Sequence, residues 1–179
     1  GDLAEITDCF MVWGNHDLWI KDEERNKIAE FAEKCGIRIL ENETVRLSCG
    51  SDNISLSGFS QFSENNWENN RPADEFDIVL YHYPEEFRYI ADTSAGCGNA
   101  ADLIFTGHAH GGLIWSPFVK GLYAPGQGFF PEFTSGLYEY GDSTMIVSRG
   151  VGNSTVSRRF NNPFHLVVCT LEKTADSQG

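Results

Sequence analysis

The sequence predicts an α/β fold. Three short apolar runs, near residues 9–13, 77–81 and 102–106, have the length and the bounding turn residues of buried strands. Helical periodicity separates them, over residues 22 to 35 and again after Pro84. Each run ends in a histidine-bearing loop: His16, His82, and the pair His108 and His110. In open α/β sheets, ligands gather beyond the carboxyl ends of the strands, so four of the five histidines fall on one predicted edge.

The elements follow in order. Cys9 to Trp13 reads as a buried strand, with Gly14-Asn15-His16-Asp17 as its carboxyl-end loop. Over residues 22–35, Ile28, Phe31, Ala32 and Cys35 recur at helical spacing, Asp22 is placed to cap the start and Gly36 to end it. Ile37 to Leu40 is a short strand. Thr44–Cys49 and Ile54–Phe59 read as a hairpin around Gly50-Ser51-Asp52-Asn53. The polar, Asn-rich stretch 60–72 is read as irregular. Asp77 to Tyr81 is the next buried strand, and Pro84 starts a helix over Glu85–Ala91. Pro117 to Ser135, rich in Gly, Pro and Phe, is long for a loop and reads as functional or lid-like. Leu137–Tyr140, Thr144–Ser148 and Phe164–Leu171 read as further strands.

Residues 1–179 amount to a single domain. An apolar fraction of 41%, with 13% aromatic, is enough for a real core. The net charge of −13 argues against nucleic-acid binding, which requires an electropositive surface. It leaves a phosphate substrate open, because bound cations can dominate a local field. Cys9, Cys35, Cys49, Cys97 and Cys169 show no Cys-x-x-Cys spacing and read as reduced thiols. No apolar run reaches 18 residues. The chain opens on Gly-Asp-Leu with no initiator Met, so residues upstream are expected to be missing.

Gly107-His108-Ala109-His110-Gly111-Gly112 is the densest motif. Imidazoles two apart on extended backbone project to one side, glycines let the chain bend close to an ion, and neutral imidazole is a common metal ligand. The plain alternative is two polar loop residues; His16 and His82 on the same edge outweigh it. His165 is read as an ordinary strand residue.

Gly14-Asn15-His16-Asp17, Tyr81-His82-Tyr83-Pro84 and Gly107–Gly112 resemble the third, fourth and fifth motifs of the calcineurin-like metallophosphoesterases. Val147-Ser148-Arg149-Gly150-Val151-Gly152, followed by Arg159-Phe160-Asn161-Asn162-Pro163, is similar to the tail of a bacterial branch that includes membrane-associated members. The resemblance runs from about residue 9 to 172 and implies a four-layer αββα sandwich of two mixed sheets, here lacking its first strands. It implies a site of two divalent ions (Mn, Fe or Zn) about 3.5–4 Å apart that hydrolyses a phosphate mono- or diester with an activated water. Asn15, His82 and His108 match ligands of one ion and His110 a ligand of the other. His16 matches the histidine that contacts phosphate and protonates the leaving oxygen. The implied substrates are phosphorylated small molecules or phospholipids. The implied location is cytoplasmic, or membrane-associated through an upstream segment.

The family's Asp-x-His motif occurs nowhere in the chain. Gly1-Asp2 has the letters of the next motif, whose carboxylate bridges both ions, but it lies too near Gly14 for a crossover between parallel strands. One metal site is therefore expected to be incomplete, and the chain to bind at most one ion well with weak or no activity. The alternative is a catalytically degraded binding domain of the same fold. Arg149, Arg158 and Arg159 either meet a substrate phosphate or pair with the acidic surface. Trp67 and Phe129-Phe130 either line a groove or contact lipid, or pin long loops to the core.

Overall fold

The runs at 77–81 and 102–106 become neighbouring parallel strands near the middle of a six-stranded sheet. The structure, a computed structural model, describes residues 2–70, 75–118, 120–152 and 159–173. In chain order its elements are β1 (Cys9–Met11), α1 (Asn15–Trp19), α2 (Asp22–Lys34), β2 (Ile37–Ile39), β3 (Glu43–Cys49) and β4 (Asp52–Gly58). Then come α3 (Glu64–Asn70), β5 (Phe76–Leu80), α4 (Phe87–Gly96) and β6 (Leu103–Thr106). The short strands β7 (Trp115–Ser116), β8 (Lys120–Gly121), β9 (Tyr123–Ala124) and β10 (Gly128–Phe129) follow, then β11 (Gly136–Tyr140) and β12 (Ser143–Val147). Three 3-10 turns, Asp2–Glu5, Pro84–Glu86 and His110–Gly112, complete the set among the described residues.

The large sheet runs β11-β12-β6-β5-β4-β3. Its four inner strands are parallel and its two outer strands pair antiparallel. The chain is thus mixed α/β. Side-chain alternation splits each inner strand between two cores, which is why these strands read as continuous apolar runs. Ile78 and Leu103 turn to one face, where Leu40, Val45 and Leu56 pack with Phe10 and Val12. Val79, Ile104, Met145 and Val147 turn to the other, under Trp67 of α3 and Phe87 and Ile90 of α4. The first strand does not join this sheet. β1 pairs in parallel with β2 alone, as a separate two-stranded unit. Leu40, just past β2, reaches β4 so closely that any Cβ at Gly58 would collide with it.

Several sequence readings change. The stretch 60–72 contains α3: Ser63 Oγ accepts the Asn66 N–H at 3.2 Å and Ser63 O accepts the Trp67 N–H at 2.9 Å. That cap and the burial of Trp67 outweigh the low helix propensity of Asn. Trp67 packs on Phe59 and Phe62 in the core, so it pins this segment and lines no groove. The helix after Pro84 runs to Gly96, beyond the expected Ala91. Residues 164–171 form no strand; His165 makes one isolated bridge to Gly150. The alternation is present, with Leu166 at 81% and Val168 at 86% exposure, but no ladder partner stands beside it among the described residues. Helix α2 forms as expected, yet Phe31 of its apolar stripe is 68% exposed and only Ala32 is buried. Residues 117–135 include β8, β9 and β10 rather than one loop. Among the described residues no helix is long and apolar enough to cross a membrane.

Asp77 opens a pH dependence of stability. It is fully buried at the start of β5, where Ser57 Oγ donates to its Oδ1 at 3.0 Å while Oδ2 has no partner. Burial raises its pKa to about 7, with nearby Asp102 adding to the rise. A raised carboxyl pKa favours the protonated folded state. The contribution is full below the ordinary value of 3.8 and is lost as pH rises through about 7. Urea melts of Asp77→Asn against the parent chain should show the variant gaining roughly 1 kcal/mol per pH unit across that window. A constant difference between the two would contradict it.

Candidate metal centre

Helix α1 begins where the sequence suggested an extended loop. Gly14 precedes it, and the Asp17 carboxylate accepts the Gly14 N–H at 2.9 Å, closing the turn. Asp17 is thereby engaged with the backbone. Gly14 is required by packing: a Cβ there would lie 2.8 Å from His82 Cε1. The His82 ring therefore rests on the Gly14 backbone, and buried Asn15 faces it.

The cluster's geometry is tight. Asn15 Oδ1 lies 2.9 Å from His82 Nε2, and His108 Nδ1 lies 3.0 Å from the same atom. Asn15 of α1 and His108 of the loop after β6 thus both close on the His82 ring of the loop after β5. The His82 and His108 rings meet edge to face at 4.7 Å, and Tyr83 closes on both at 5.0 Å. Burial pushes both rings' pKa values down to about 4, and the proximity of the other histidines adds to the fall. Both are neutral at pH 7, the form that ligates metal. Burial likewise lowers His110, with Arg159 contributing. His16 is exposed on α1 and packs its ring on Trp19 at 5.1 Å.

His108 and His110 do not sit on extended backbone. Both are left-handed, at φ 56° and 48°, and Gly111, Gly112 and Leu113 continue the turn at positive φ. Non-glycine residues in this region carry strain, of a kind that concentrates at functional sites. The glycines answer to close contacts. A Cβ on Gly111 would strike Asn162 Oδ1 and the Arg149 side chain, and one on Gly112 would strike Gly121.

Two contributors escaped the sequence reading. Asn162 is buried, and its Nδ2 donates to His110 O at 2.6 Å, which pins the turn. It stood in the Arg-Phe-Asn-Asn-Pro tail, but nothing local to it signalled the contact. Glu85 directs Oε1 toward His108 Nε2 at 3.8 Å, just beyond hydrogen-bond reach, on a side chain that is 7% exposed for His108 and 23% for Glu85. Glu85 Oε2 is buried without a partner, and Gly126 lies so close over the carboxylate that no Cβ fits there. A carboxylate behind a ligating histidine fixes its tautomer and raises its basicity. Glu85→Gln should weaken Mn²⁺ binding roughly 10-fold by calorimetry, with little change in Tm. Unchanged affinity would remove Glu85 from this role.

His165 stands apart from the cluster, its Nδ1 3.5 Å from the Arg149 N–H. Asp2 opens the 3-10 turn Asp2–Glu5, whose Ala4 lies beside Gly36. Arg158 lies outside the described residues. Phe129 and Phe130 are exposed on the segment after β9, so they do not pin it to the core.

Fold and cluster together define an α/β protein that gathers neutral histidines and one amide oxygen at the carboxyl end of its parallel strands. Comparison with known proteins adds three relatives. Over 157 residues the chain is 28% identical to phosphodiesterase YaeI of Escherichia coli, covering 84% of this chain and 54% of that protein. It is 27% identical over 154 residues to the uncharacterized metallophosphoesterase YkoQ of Bacillus subtilis, covering 84% and 55%. It is 26% identical over 137 residues to the UDP-2,3-diacylglucosamine pyrophosphatase LpxG of Chlamydia muridarum, covering 70% and 39%. No family model and no solved structure matches the chain. The chain spans about half the length, or less, of these curated relatives. Over most of its length the chain is thus similar to proteins named as a phosphodiesterase, a metallophosphoesterase and a pyrophosphatase.

Proposed function

We propose that the chain holds one divalent metal ion between Asn15, His82 and His108 and hydrolyses phosphate esters there. The convergence of Asn15 Oδ1, His82 Nε2 and His108 Nδ1 within about one coordination shell carries this reading. A neutral amide oxygen with two neutral imidazoles suits Mn²⁺, Fe²⁺ or Zn²⁺ among mixed N/O sites. A divalent ion held there supplies Lewis acidity, which activates a water and offsets phosphate charge. Around it the protein's own groups divide the work. Asn15, His82 and His108 orient one another, and Gly14 seats the His82 ring. Glu85, 3.8 Å from His108 Nε2, favours the tautomer that carries its proton on that side and leaves Nδ1 free as a ligand. His16, exposed beside them, is placed to contact the phosphate and return a proton to the leaving oxygen. His110 faces a second ion position. Among the described residues no carboxylate accompanies it, so one ion per chain is the expected load.

The substrate reading follows the relatives, one named a phosphodiesterase and another a sugar-nucleotide pyrophosphatase. A phosphorylated small molecule or phospholipid fits both. The packing of the β1–β2 pair on one face of the large sheet, with α3 and α4 on the other, supports the four-layer αββα arrangement.

Elemental analysis and a panel of phosphomonoesters and diesters with Mn²⁺ test the proposal. One ion per chain and slow turnover that requires His82 are expected. Two tightly bound ions would overturn the stoichiometry. Metal binding without turnover of any ester would favour the non-catalytic binding domain.

A further inference from the structure

The chain is strongly acidic, and its arginines are spent accordingly. Arg25 pairs with Asp22, Arg38 with Glu43, Arg46 with Glu75 and Arg88 with Glu132. Among the described residues only Arg149 and Arg159 face no carboxylate. Both lie on the His110 side of the cluster. The Arg149 stem packs on the Gly111 backbone, where an added Cβ would meet its Cδ and Cγ at 2.8 Å. Arg159 donates through Nη2 to Gly152 O and lies over the Phe164 ring at 5.3 Å. That leaves Arg149 Nε and Arg159 Nε and Nη1 buried with no partner. Asn162, wedged between the same residues, holds His110 from its other end.

Buried guanidinium donors without partners are costly, and two of them side by side are costlier. Burial lowers the Arg159 pKa and the nearby Arg149 charge adds to the fall, so the two guanidinium groups share one electrostatic neighbourhood. A planar fork of N–H donors suits the oxygens of a phosphate. We propose that Arg149 and Arg159 form an anion subsite beside His110 that takes a phosphate group of the ligand. The choice of phosphate rests on the phosphoesterase reading above. The two cations anchor a ligand whose ester is presented to His108 and His82.

The test is titration of inorganic phosphate into the metal-free chain in EDTA at fixed ionic strength, by calorimetry. Arg159→Gln and Arg149→Gln should each weaken phosphate about tenfold. Lys27→Gln, which removes an equal charge from an exposed pair with Glu23, should leave it within twofold. Mn²⁺ affinity should stay within twofold in all three, because none of these side chains is among the proposed ligands. Should Arg159→Gln fail to fold, as judged by its melting curve, Arg149→Gln carries the same expectation. Equal weakening by Lys27→Gln, or none by the two arginine variants, would overturn the subsite. Failure here with ester turnover intact leaves the phosphoesterase reading standing. Arginine-dependent phosphate binding with no turnover under any metal leaves the subsite standing and removes the enzyme reading.

Discussion

His82→Ala should abolish metal binding and ester hydrolysis while leaving the fold in place. His82 Nε2 is the atom common to both contacts of the cluster, 2.9 Å from Asn15 Oδ1 and 3.0 Å from His108 Nδ1. Removing a group that merely supports a ligand costs about 10–100-fold in affinity, and loss of the central ligand should exceed about 100-fold. The ring is seated on Gly14 at the edge of the sheet, outside both hydrophobic clusters, so the melting temperature should change little. Calorimetry with Mn²⁺ and a chromogenic diester assay read the first part, and a thermal melt the second. Retained Mn²⁺ affinity would show that the convergence has another purpose. pH supplies an independent check. Both rings hold pKa values near 4, lowered from 6.5, so protons do not compete with metal until the pH falls toward that value. The same depression costs stability as pH falls from 6.5 to about 4, because the unfolded chain takes up those protons first. Asp77 acts in the opposite sense over much of that range.

The largest effect on stability should come from Trp67→Ala. Trp67 is fully buried, in contact with Phe59 and Phe62, and it anchors α3 to the face of the large sheet. Aromatic-to-alanine changes in a core cost about 3–5 kcal/mol. For a chain of this size the melting temperature should fall by roughly 10 °C. Trp67→Phe should cost less, since Nε1 has no partner to lose. Melts of the two variants measure both effects. A neutral Trp67→Ala would return this residue to the surface groove that the sequence also allowed.

The strand and helix pattern of the central α/β unit was legible because apolar runs and helical spacing are local properties. The hairpin of β3 and β4 and the strands β5, β6, β11 and β12 sit within about a residue or two of their expected bounds. The errors fall where long-range contacts decide. Helix α3 depends on a pocket among Phe59, Phe62 and Tyr81 that composition does not encode. The stretch 164–171 alternates like a strand but, among the described residues, pairs only through one isolated bridge from His165 to Gly150. The α2 stripe has the right period but little covering it.

For the site, the sequence by itself determined which residue types stand where the strands end: Asn15, His16, His82, His108 and His110, each beside glycine or proline or one residue from it. These follow from chemistry carried in short motifs. What only the tertiary structure decided is how the rings are aimed. His108 and His110 reach the cluster on left-handed backbone rather than from one face of a strand, held by Asn162 from 52 residues away. Glu85, Arg149 and Arg159 enter for the same reason. Their roles come from burial and from the partners they have or lack, and both arise only when distant segments pack together.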